Sequence, residues 1–476
     1  FVSDSPCLPS RTALATCRRG ADSGVVTHYG SGQWYDEPGE GHAGDPERPL
    51  AFRHLSEAGI HTATVTSFAK RHLAYHFTAG FRESIQPTAA TGQETVEDVT
   101  GTAVDWLDRN AAADDWLLHV NYWDVHHPYD GVEAHVEAVR ESGPAPDWPD
   151  QAAIDAQQGM SGTRCADLWS NPGPGDDTSD LLPAGNRLEH GDWGMPARFA
   201  DRSDAEFLVD VYDGAIRKTD AAVADLLAAL ERAGVREETA VVVTGDHGDA
   251  LGEHGIYAEH AFPHPPCQRV PMVFSWPGVT DGLAGTVRDE KIYQFDLLPT
   301  VCELAGLDVP GGWDAQSFAA GLRGDGFDGR DHLVCGHGIY TFGRAVYRGD
   351  WAYIRLLHPG VFSMPGVYND PDLPGHGLEL LYDRGEDPHL TENLVRERPE
   401  LAADLRATLD GWVADTVAGD EPAGRDPLAR MAVESGPFLY VDPDHLREAY
   451  RGMDRTPAQR AAVERAPAWT PGDARR

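Results

Sequence analysis

The sequence predicts an α/β fold with a mostly parallel sheet flanked by helices and a smaller antiparallel sheet towards the C-terminus. Three observations support this prediction. Strand-like and helix-like stretches alternate through the first half of the chain, as expected where helices join parallel strands. A short, wholly apolar run at residues 240–244 follows a long amphipathic stretch. Strand-like stretches at 344–357 and 378–383 indicate the smaller antiparallel sheet.

The first predicted elements are two strands with a helix between them. GIHTATVT (59–66) and WLLHVNY (116–122) have the composition of strands. Residues 95–110 are predicted to be helical because their apolar side chains recur at helical spacing. These side chains are Val96, Val99, Ala103, Trp106 and Leu107.

A longer helix is predicted before the third strand. Ser203 and Glu206 fit a capping box at its start. Apolar residues then follow on one face, and the helix is expected to end near Gly234. The run AVVVT (240–244) comes next, and its uniformly apolar character is typical of a buried parallel strand.

We expect the chain to divide into three regions. Residues 1–328 form the main α/β region, in which the Gly-, Pro- and Asp-rich stretch 130–200 is predicted to be a long irregular insertion, as in a lid. Residues 329–418 form the small antiparallel sheet and a closing helix from 401 to 417. Residues 419–476 are rich in proline and charge, and we expect them to dock loosely.

The composition restricts the classes of partner. The chain has 77 acidic residues against 39 Lys and Arg, a formal net charge of −38. Only Lys70, Lys218 and Lys291 are lysines. Such dense carboxylates favour a surface adapted to high salt, with a specific cationic partner as the alternative, and phosphate repulsion argues against nucleic acid. No stretch approaches the ~18 apolar residues of a membrane span.

The six cysteines are widely spaced and include no C-x-x-C pair, which argues against a dense disulfide framework or a zinc ribbon. Cys7 lies in Cys-Leu-Pro-Ser-Arg, just before a predicted helix start. A helix N-terminus favours a negative charge on such a thiol. From this stretch alone, Cys7 is a buried structural thiol, a metal ligand or a nucleophile.

Polar side chains follow each of the three predicted strands. Asp246 and His247 follow the apolar strand, within Gly-Asp-His-Gly-Asp. His126 follows the strand before it, and Lys70 and His72 follow the first strand. An ordinary turn also uses Asp and Gly. Because the carboxyl ends of parallel strands meet at one sheet edge, however, the sequence predicts a ligand site there that a cation can reach.

Together these stretches resemble the type I sulfatases of the alkaline phosphatase superfamily. The matching stretches are the C-x-P-S-R signature at 7–11, the second metal motif VVVTGDHGDALGEHG at 241–255, the preceding helix at 212–235, and the later landmarks at 294–310 and 379–394. The resemblance covers most of residues 1–415, apart from 130–200. It implies an alkaline-phosphatase-like fold whose first strand precedes Phe1.

The resemblance also implies a modification. In sulfatases the signature cysteine is oxidised to formylglycine, so Cys7 is expected to be the precursor of an aldehyde. Its hydrate presents two hydroxyls: one attacks the sulfur of a sulfate ester and the alcohol leaves, and the second then expels the sulfate as the aldehyde re-forms. The implied partners are a small-molecule or carbohydrate sulfate ester and a maturation enzyme that generates the formylglycine.

The family pattern assigns roles to the residues around Cys7. Asp246 and His247, with the formylglycine at position 7, are expected to bind a divalent cation. Calcium is the family expectation, and the hard ligands would also accept magnesium or manganese. Asp246 is also the expected base for the hydrated aldehyde, and Arg11 is expected to hold its hydroxyl.

Three further residues match family positions at the substrate. Lys70 and His72 match the K-x-H pair that binds sulfate oxygens. His126, in His-x-Pro-Tyr, matches the histidine that protonates the leaving oxygen, a step that contributes roughly 10²–10⁴ in rate.

Two departures from the family pattern matter. A lysine usually follows the second metal motif, whereas this chain has Glu259 and His260. We expect protonated His260 to bind the sulfate, so that activity falls as pH rises through its pKa. The aspartate pair that sulfatases carry upstream of the signature is also absent from the sequence. We therefore expect the chain to be a fragment that lacks half of its cation ligands and is inactive alone.

Two other functions stay open. A phosphodiesterase or phosphonate monoester hydrolase of the same superfamily shares the formylglycine and the Asp-His motif. The second function is that of a non-catalytic homologue that binds sulfated ligands. The intact signature argues against it, because a binding protein does not need the whole signature. The sequence leaves open which sulfate ester is cleaved and whether the protein is cytoplasmic in a high-salt organism or exported.

Overall fold

The computed structural model describes residues 1–35, 48–89, 94–127, 131–158, 199–358, 378–417 and 426–434, with positions 129, 165, 360, 362 and 364–367. Its helices are α1 Cys7–Thr16, α2 Gly20–Ser23, α3 Ala51–Glu57, α4 Phe68–Arg71, α5 Val96–Asn110, α6 Glu133–Ser142, α7 Gln151–Gln158, α8 Arg202–Ala233, α9 Pro265–Gln268, α10 Leu297–Leu304, α11 Ala319–Leu322, α12 Pro399–Val417 and α13 Pro427–Glu434. Its strands are β1 Asp4–Ser5, β2 His61–Val65, β3 Glu83–Ile85, β4 Trp116–Val120, β5 Val241–Thr244, β6 Ala250–Leu251, β7 Tyr257–Glu259, β8 Met272–Ser275, β9 His332–Ile339, β10 Thr341–Arg348, β11 Trp351–His358 and β12 Glu379–Asp383. None of the helices in these ranges has the length and apolar character of a membrane span.

A parallel sheet with strand order β3-β2-β4 lies in the first region. The strands predicted at 59–66 and 116–122 are confirmed as β2 and β4, and the helix predicted at 95–110 is confirmed as α5. The apolar face of α5, which includes Trp106, packs against both the sheet and α8. This packing aligns the carboxyl ends of β2 and β4 at one edge.

The long helix α8 is confirmed, but its predicted start is wrong. Asp201, not Ser203, is the N-cap: its side chain accepts a hydrogen bond from the Ser203 N–H at 2.9 Å. Asp204, rather than Glu206, reaches back to the cap to complete the box. Asp is as good an N-cap as Ser, so a capping box formed by Asp201 and Asp204 is as favourable as one formed by Ser203 and Glu206. The helix ends as predicted at Gly234, whose φ is 74°.

The third predicted strand is confirmed as β5, but the prediction of a buried parallel strand is wrong. β5 pairs antiparallel with β8. Val241 packs against the cluster beneath α8, whereas Val243 is 39% exposed and Val273 on β8 is 60% exposed. Val241 and Val243 lie on the same face of the strand, so within the described residues this face is covered at the start of β5 and open further along, and an apolar run alone does not establish burial.

The predicted small antiparallel sheet is confirmed as β9 to β12, with α12 as its closing helix. Leu405 and Leu409 of α12 pack against Val346 and Tyr353 of the sheet. A fifth strand, β1, pairs parallel with β9. Because β1 immediately precedes α1, this sheet positions the start of α1 and thus Cys7.

The predicted insertion at 130–200 is partly helical in the described residues. Helices α6 and α7 lie within it, and α6 packs along α8. The apolar periodicity of α6, buried at Val136, accounts for this helix. Most of 159–198 lies outside the described residues, so the role of this insertion as a lid stays a prediction.

The described part of the predicted C-terminal tail, residues 426–434, contains helix α13. Its Leu428 and Met431 are almost fully buried in a cluster with residues of β10 and of the segment after α2. At its start, Asp426 pairs with Arg344 of β10, with a 2.6 Å contact between Oδ1 and Nη2. This stretch is packed against the sheet rather than loosely docked.

We predict that Asp426→Ala lowers the free energy of unfolding by about 3–5 kcal/mol, because it leaves the buried Arg344 guanidinium without its partner. Asp404→Ala is the matched control. It breaks the exposed pair between Asp404 of α12 and Arg348, which lies on β10 as Arg344 does, and it should cost at most about 1 kcal/mol. Urea denaturation of both variants measures the difference. Equal losses in the two variants would contradict the assignment of α13 as an anchored element.

Candidate active site

Cys7 is the first residue of α1 and is 4% exposed. Its Sγ lies 3.0 Å from His247 Nε2. Burial and the negative charge of Asp246 raise the pKa of the Cys7 thiol far above its usual value, although Arg11 opposes this. The thiol therefore stays protonated at neutral pH and is a poor nucleophile in its unmodified form.

Arg11, one turn further along α1, joins the ends of three strands. Its Nε donates to Asp246 Oδ2 at 2.8 Å, just beyond β5, and its Nη1 donates to Asn121 Oδ1 at 2.5 Å, just beyond β4. Thr66, just beyond β2, donates to the same Asn121 oxygen at 2.9 Å. The guanidinium also lies over the Phe68 ring, 4.4 Å from its centroid. The predicted convergence of strand ends is therefore present in the structure.

Asp246 is held from both its side chain and its backbone. Burial opposes its ionisation, but the charge of Arg11 and the hydrogen bond from Arg11 hold the pKa of Asp246 well below its usual value. Ser10 Oγ donates to the Asp246 carbonyl at 2.5 Å, and Gln294 donates to the carbonyl of Gly245. The serine of the C-x-P-S-R motif thus fixes the loop that carries the carboxylate.

His247 and His260 form a pair beside Cys7, with ring centroids 4.3 Å apart. Burial lowers the pKa of His247, so this ring is neutral. Burial also acts to lower the pKa of His260, but its 2.9 Å hydrogen bond to Asp249 and the charges of Glu259 and Asp249 raise it to about 9. His260 therefore favours the imidazolium form at neutral pH, and its binding of sulfate stays a prediction.

His126 and His72 also lie near this pair but are neutral. The ring of His126 is 5.9 Å from that of His260, and burial together with the charges of His127 and His260 lowers the pKa of His126 well below its usual value. Burial and the charges of Arg11 and Arg71 lower the pKa of His72 to about 3. Neither ring carries a positive charge in the ligand-free site.

Lys70 differs from the other predicted residues because it is exposed, on the last turn of α4. The next residue, Arg71, turns inward, and its guanidinium lies 3.5 Å from the centroid of Trp123. Arg71 Nη1 and His72 Nε2 are both buried with no hydrogen-bond partner among the described residues. A buried donor without an acceptor costs about 1–3 kcal/mol, so an acceptor such as an oxyanion is favoured at each of these nitrogens.

Sequence reasoning missed several residues that build the site. Asp249 lies two residues after His247 and Asn121 lies five residues before His126, and the rule that ligands gather beyond strand ends could have included both. Arg71 lies between the two predicted residues of the K-x-H pair. His28 carried no local signal: its Nε2 accepts the Leu8 N–H at 3.1 Å, which fixes the first turn of α1.

The cation expected here requires a match between donor atoms and ion. Ligand atoms of Cys7, His247 and His260 lie within 4.8 Å of one another. The nearest carboxylate oxygen, Asp246 Oδ2, is 3.8 Å from His247 Nε2 and already pairs with Arg11. Calcium takes six to eight oxygen ligands. The described residues of the unmodified chain therefore fit calcium poorly, since sulfur and imidazole nitrogen dominate the set.

Comparison with known proteins agrees with this arrangement. The family model described as Sulfatase matches residues 1–307, well over half of the chain. The chain belongs to the sulfatase family. Members of this family generally use a divalent cation and a formylglycine, and the predicted family membership is confirmed.

The matching relatives are distant. A Delta 4,5-hexuronate-2-O-sulfatase of Bacteroides thetaiotaomicron is 29% identical over 201 residues, which covers 40% of this chain and 38% of that protein. The chain thus spans well under half the length of this relative. Sequence similarity of this extent indicates descent but does not transfer a substrate.

Solved structures share the fold. A putative sulfatase from Bacteroides thetaiotaomicron has a TM-score of 0.63 at 20% identity, covering 87% of this chain and 83% of its own. The phosphonate monoester hydrolase of Agrobacterium radiobacter has a TM-score of 0.62 at 17% identity, covering 87% and 88%. The predicted alkaline-phosphatase-like α/β fold is therefore confirmed, and this fold is common to both enzyme classes.

We predict that His260 of this sulfatase titrates with a pKa near 9 and that Asp249→Asn lowers that pKa, because the variant loses the charged acceptor of the imidazolium proton. NMR titration of the chelator-treated protein measures both values. Glu253→Gln is the matched control, since Glu253 is a buried carboxylate paired with His389 instead. A His260 pKa that is unchanged in Asp249→Asn would contradict the pairing.

The same pair predicts how stability depends on pH. The pKa of His260 is raised from 6.5 to about 9 and that of Asp249 is lowered from 3.8 to about 2. The pair therefore stabilises the fold fully between about pH 3.8 and 6.5, and the contribution is lost as pH rises through about 9 or falls through about 2. The excess stability of the wild type over Asp249→Asn should follow this window in urea denaturation. An excess that persists above pH 9 would contradict the assignment.

Proposed function

We propose that this protein hydrolyses sulfate monoesters by means of a formylglycine derived from Cys7. The observation that carries the proposal is the convergence of Cys7 and Arg11 of α1 with Asp246 and His247 beyond the end of β5, within a chain of the sulfatase family. The protonated Cys7 thiol is unsuited to act as a nucleophile itself. When present, the formylglycine supplies a hydroxyl that attacks sulfur.

The residues around Cys7 prepare the site for that hydroxyl. Asp246 stays ionised because Arg11 pairs with it, so it is available as a base at the position of the Cys7 side chain. Asn121 and Phe68 hold the Arg11 guanidinium in place, one turn of α1 from Cys7. We assign Arg11 to charge stabilisation near the reacting hydroxyl.

The sulfate group would bind to the cationic side of the pocket. We propose that Arg71 and His72 donate their unpartnered buried nitrogens to sulfate oxygens, with His260 as a second positive charge. Lys70, matched to the family's sulfate-binding lysine, is assigned to the entrance because it is exposed. A planar guanidinium suits an oxyanion better than a mobile ammonium.

The leaving alcohol needs a proton, which we assign to His126. Its ring is neutral in the ligand-free site. A bound sulfate ester would raise its pKa through its negative charge, and the neighbouring His260 holds a proton at neutral pH. We therefore propose that His126 becomes an acid only once substrate is bound.

A divalent cation at Asp246 and His247 is retained as a proposal. Calcium, magnesium or manganese would need oxygen ligands beyond Asp246, so no step above depends on the ion. The adaptation of its surface to high salt stays a prediction. The relative named for hexuronate 2-O-sulfate supports a carbohydrate sulfate as the substrate class.

Parallel assays of an aryl sulfate and an aryl phosphodiester with the matured protein test the function. We expect a higher kcat/KM for the sulfate, and loss of both activities in Cys7→Ala. A preference for the phosphodiester would instead identify a phosphonate monoester hydrolase or phosphodiesterase. Binding of sulfated sugars without turnover by the converted protein would identify a non-catalytic homologue.

A second assay tests the anion site. We predict that Arg71→Gln lowers kcat/KM for the sulfate ester about 10- to 100-fold, mainly through KM, because a charge-assisted hydrogen bond of roughly 1.5–3 kcal/mol is lost. Lys70→Gln is the matched neighbouring control and should cost less than about 10-fold. A larger loss in Lys70→Gln than in Arg71→Gln would place the sulfate on Lys70, as the family pattern implies.

A further inference from the structure

The side chains of Cys7, His247 and His260 form a compact donor cluster in the unmodified chain. Their ligand atoms lie within 4.8 Å of one another, and Cys7 Sγ is 3.0 Å from His247 Nε2. All three side chains are almost fully buried, with exposed fractions of 4% for the Cys7 residue and 7% and 6% for the two histidine side chains. The cluster is thus fixed in place by its surroundings.

Both imidazoles are oriented by hydrogen bonds at Nδ1. The Nδ1 of His247 lies 3.1 Å from the carbonyl of Gly248, and the Nδ1 of His260 lies 2.9 Å from Asp249 Oδ1. When Nδ1 donates to an oxygen, Nε2 is the nitrogen left for an ion. A histidine that donates to a carboxylate or carbonyl in this way is the usual partner arrangement of protein zinc sites.

We propose that the chain with Cys7 unconverted binds a zinc-class divalent cation through Cys7 Sγ and the Nε2 atoms of His247 and His260. Sulfur and imidazole nitrogen are the donors that zinc prefers, and three protein ligands leave a fourth tetrahedral position. Water or the Asp246 carboxylate, 3.8 Å from His247 Nε2, would complete it. As the metal–sulfur and metal–nitrogen bonds form, the thiol proton and the His260 Nε2 proton pass to solvent, with no change of oxidation state.

This site differs from the cation site expected of the converted enzyme. Conversion of Cys7 to the aldehyde replaces the sulfur donor by oxygen, which suits harder ions. The unconverted chain should therefore bind zinc in preference to calcium, whereas an oxygen-lined site favours calcium. The inference concerns the chain before maturation and does not depend on the hydrolysis of any ester.

The test is a cobalt titration of the full chain produced without a maturation enzyme, with the Cys7 thiol verified by mass. Cobalt(II) replaces zinc and reports a thiolate ligand by a charge-transfer band in the near ultraviolet. We expect this band to appear at one equivalent, to be bleached by zinc, and to survive excess calcium. A chain that shows no such band overturns the proposal.

Variants separate this cluster from other histidines and cysteines. Cys7→Ser should abolish the charge-transfer band, whereas the control Cys302→Ser, which alters a cysteine of helix α10, should keep it. Asp249→Asn should weaken zinc binding about 10- to 100-fold, because it removes the carboxylate that orients His260. A band that persists in Cys7→Ser would overturn the proposal.

X-ray absorption of the zinc-loaded wild type identifies the zinc ligands without any variant. We expect one sulfur neighbour at about 2.3 Å and two imidazoles. A zinc shell that contains only nitrogen and oxygen would contradict the ligand set. Hydrolysis assays use the converted protein, in which the thiol is gone. A failure of the proposed ester hydrolysis is therefore distinguishable from a failure of the proposed zinc binding.

Discussion

The ion pair between Arg11 and Asp246 is the interaction on which the rest of the site depends. The guanidinium connects α1 to the ends of β4 and β5, and through Asn121 to the end of β2. It also keeps the Asp246 carboxylate ionised despite burial. The hydrogen bond from Ser10 to the Asp246 carbonyl acts beside it, and together the two contacts hold α1, and thus Cys7, against the loop that carries His247.

The charge inside the site is more balanced than that of the whole chain. The protein carries a formal net charge of −38, whereas the described site combines Arg11, Arg71 and the His260 imidazolium with the carboxylates of Asp246, Asp249 and Glu259. Exposed carboxylates farther away than about 10 Å are largely screened at ordinary ionic strength, whereas buried pairs are screened much less. Salt therefore weakens the repulsion among the surface carboxylates more than it weakens the buried pairs of the site.

Hydrophobic periodicity and the rule on strand ends are enough to predict several elements of the fold and part of the site. The helix α5, the end of α8 and the small antiparallel sheet follow from local patterns, and the grouping of Asp246 with Cys7 follows from the edge rule together with the family motif. Burial of β5 could not be read from an apolar run, because it depends on which elements cover each face. The inward turn of Arg71 and the contact of His28 with α1 depend on tertiary packing between distant segments, and neither leaves a local pattern.

The state of Cys7 tests the central claim most directly. The measurement is the mass of the peptide that contains Cys7, after expression together with a formylglycine-generating enzyme and beside a sulfatase already known to be converted. We expect a mass decrease that corresponds to replacement of the thiol by an aldehyde. An unmodified thiol in this protein, with conversion complete in the companion sulfatase, would contradict the account.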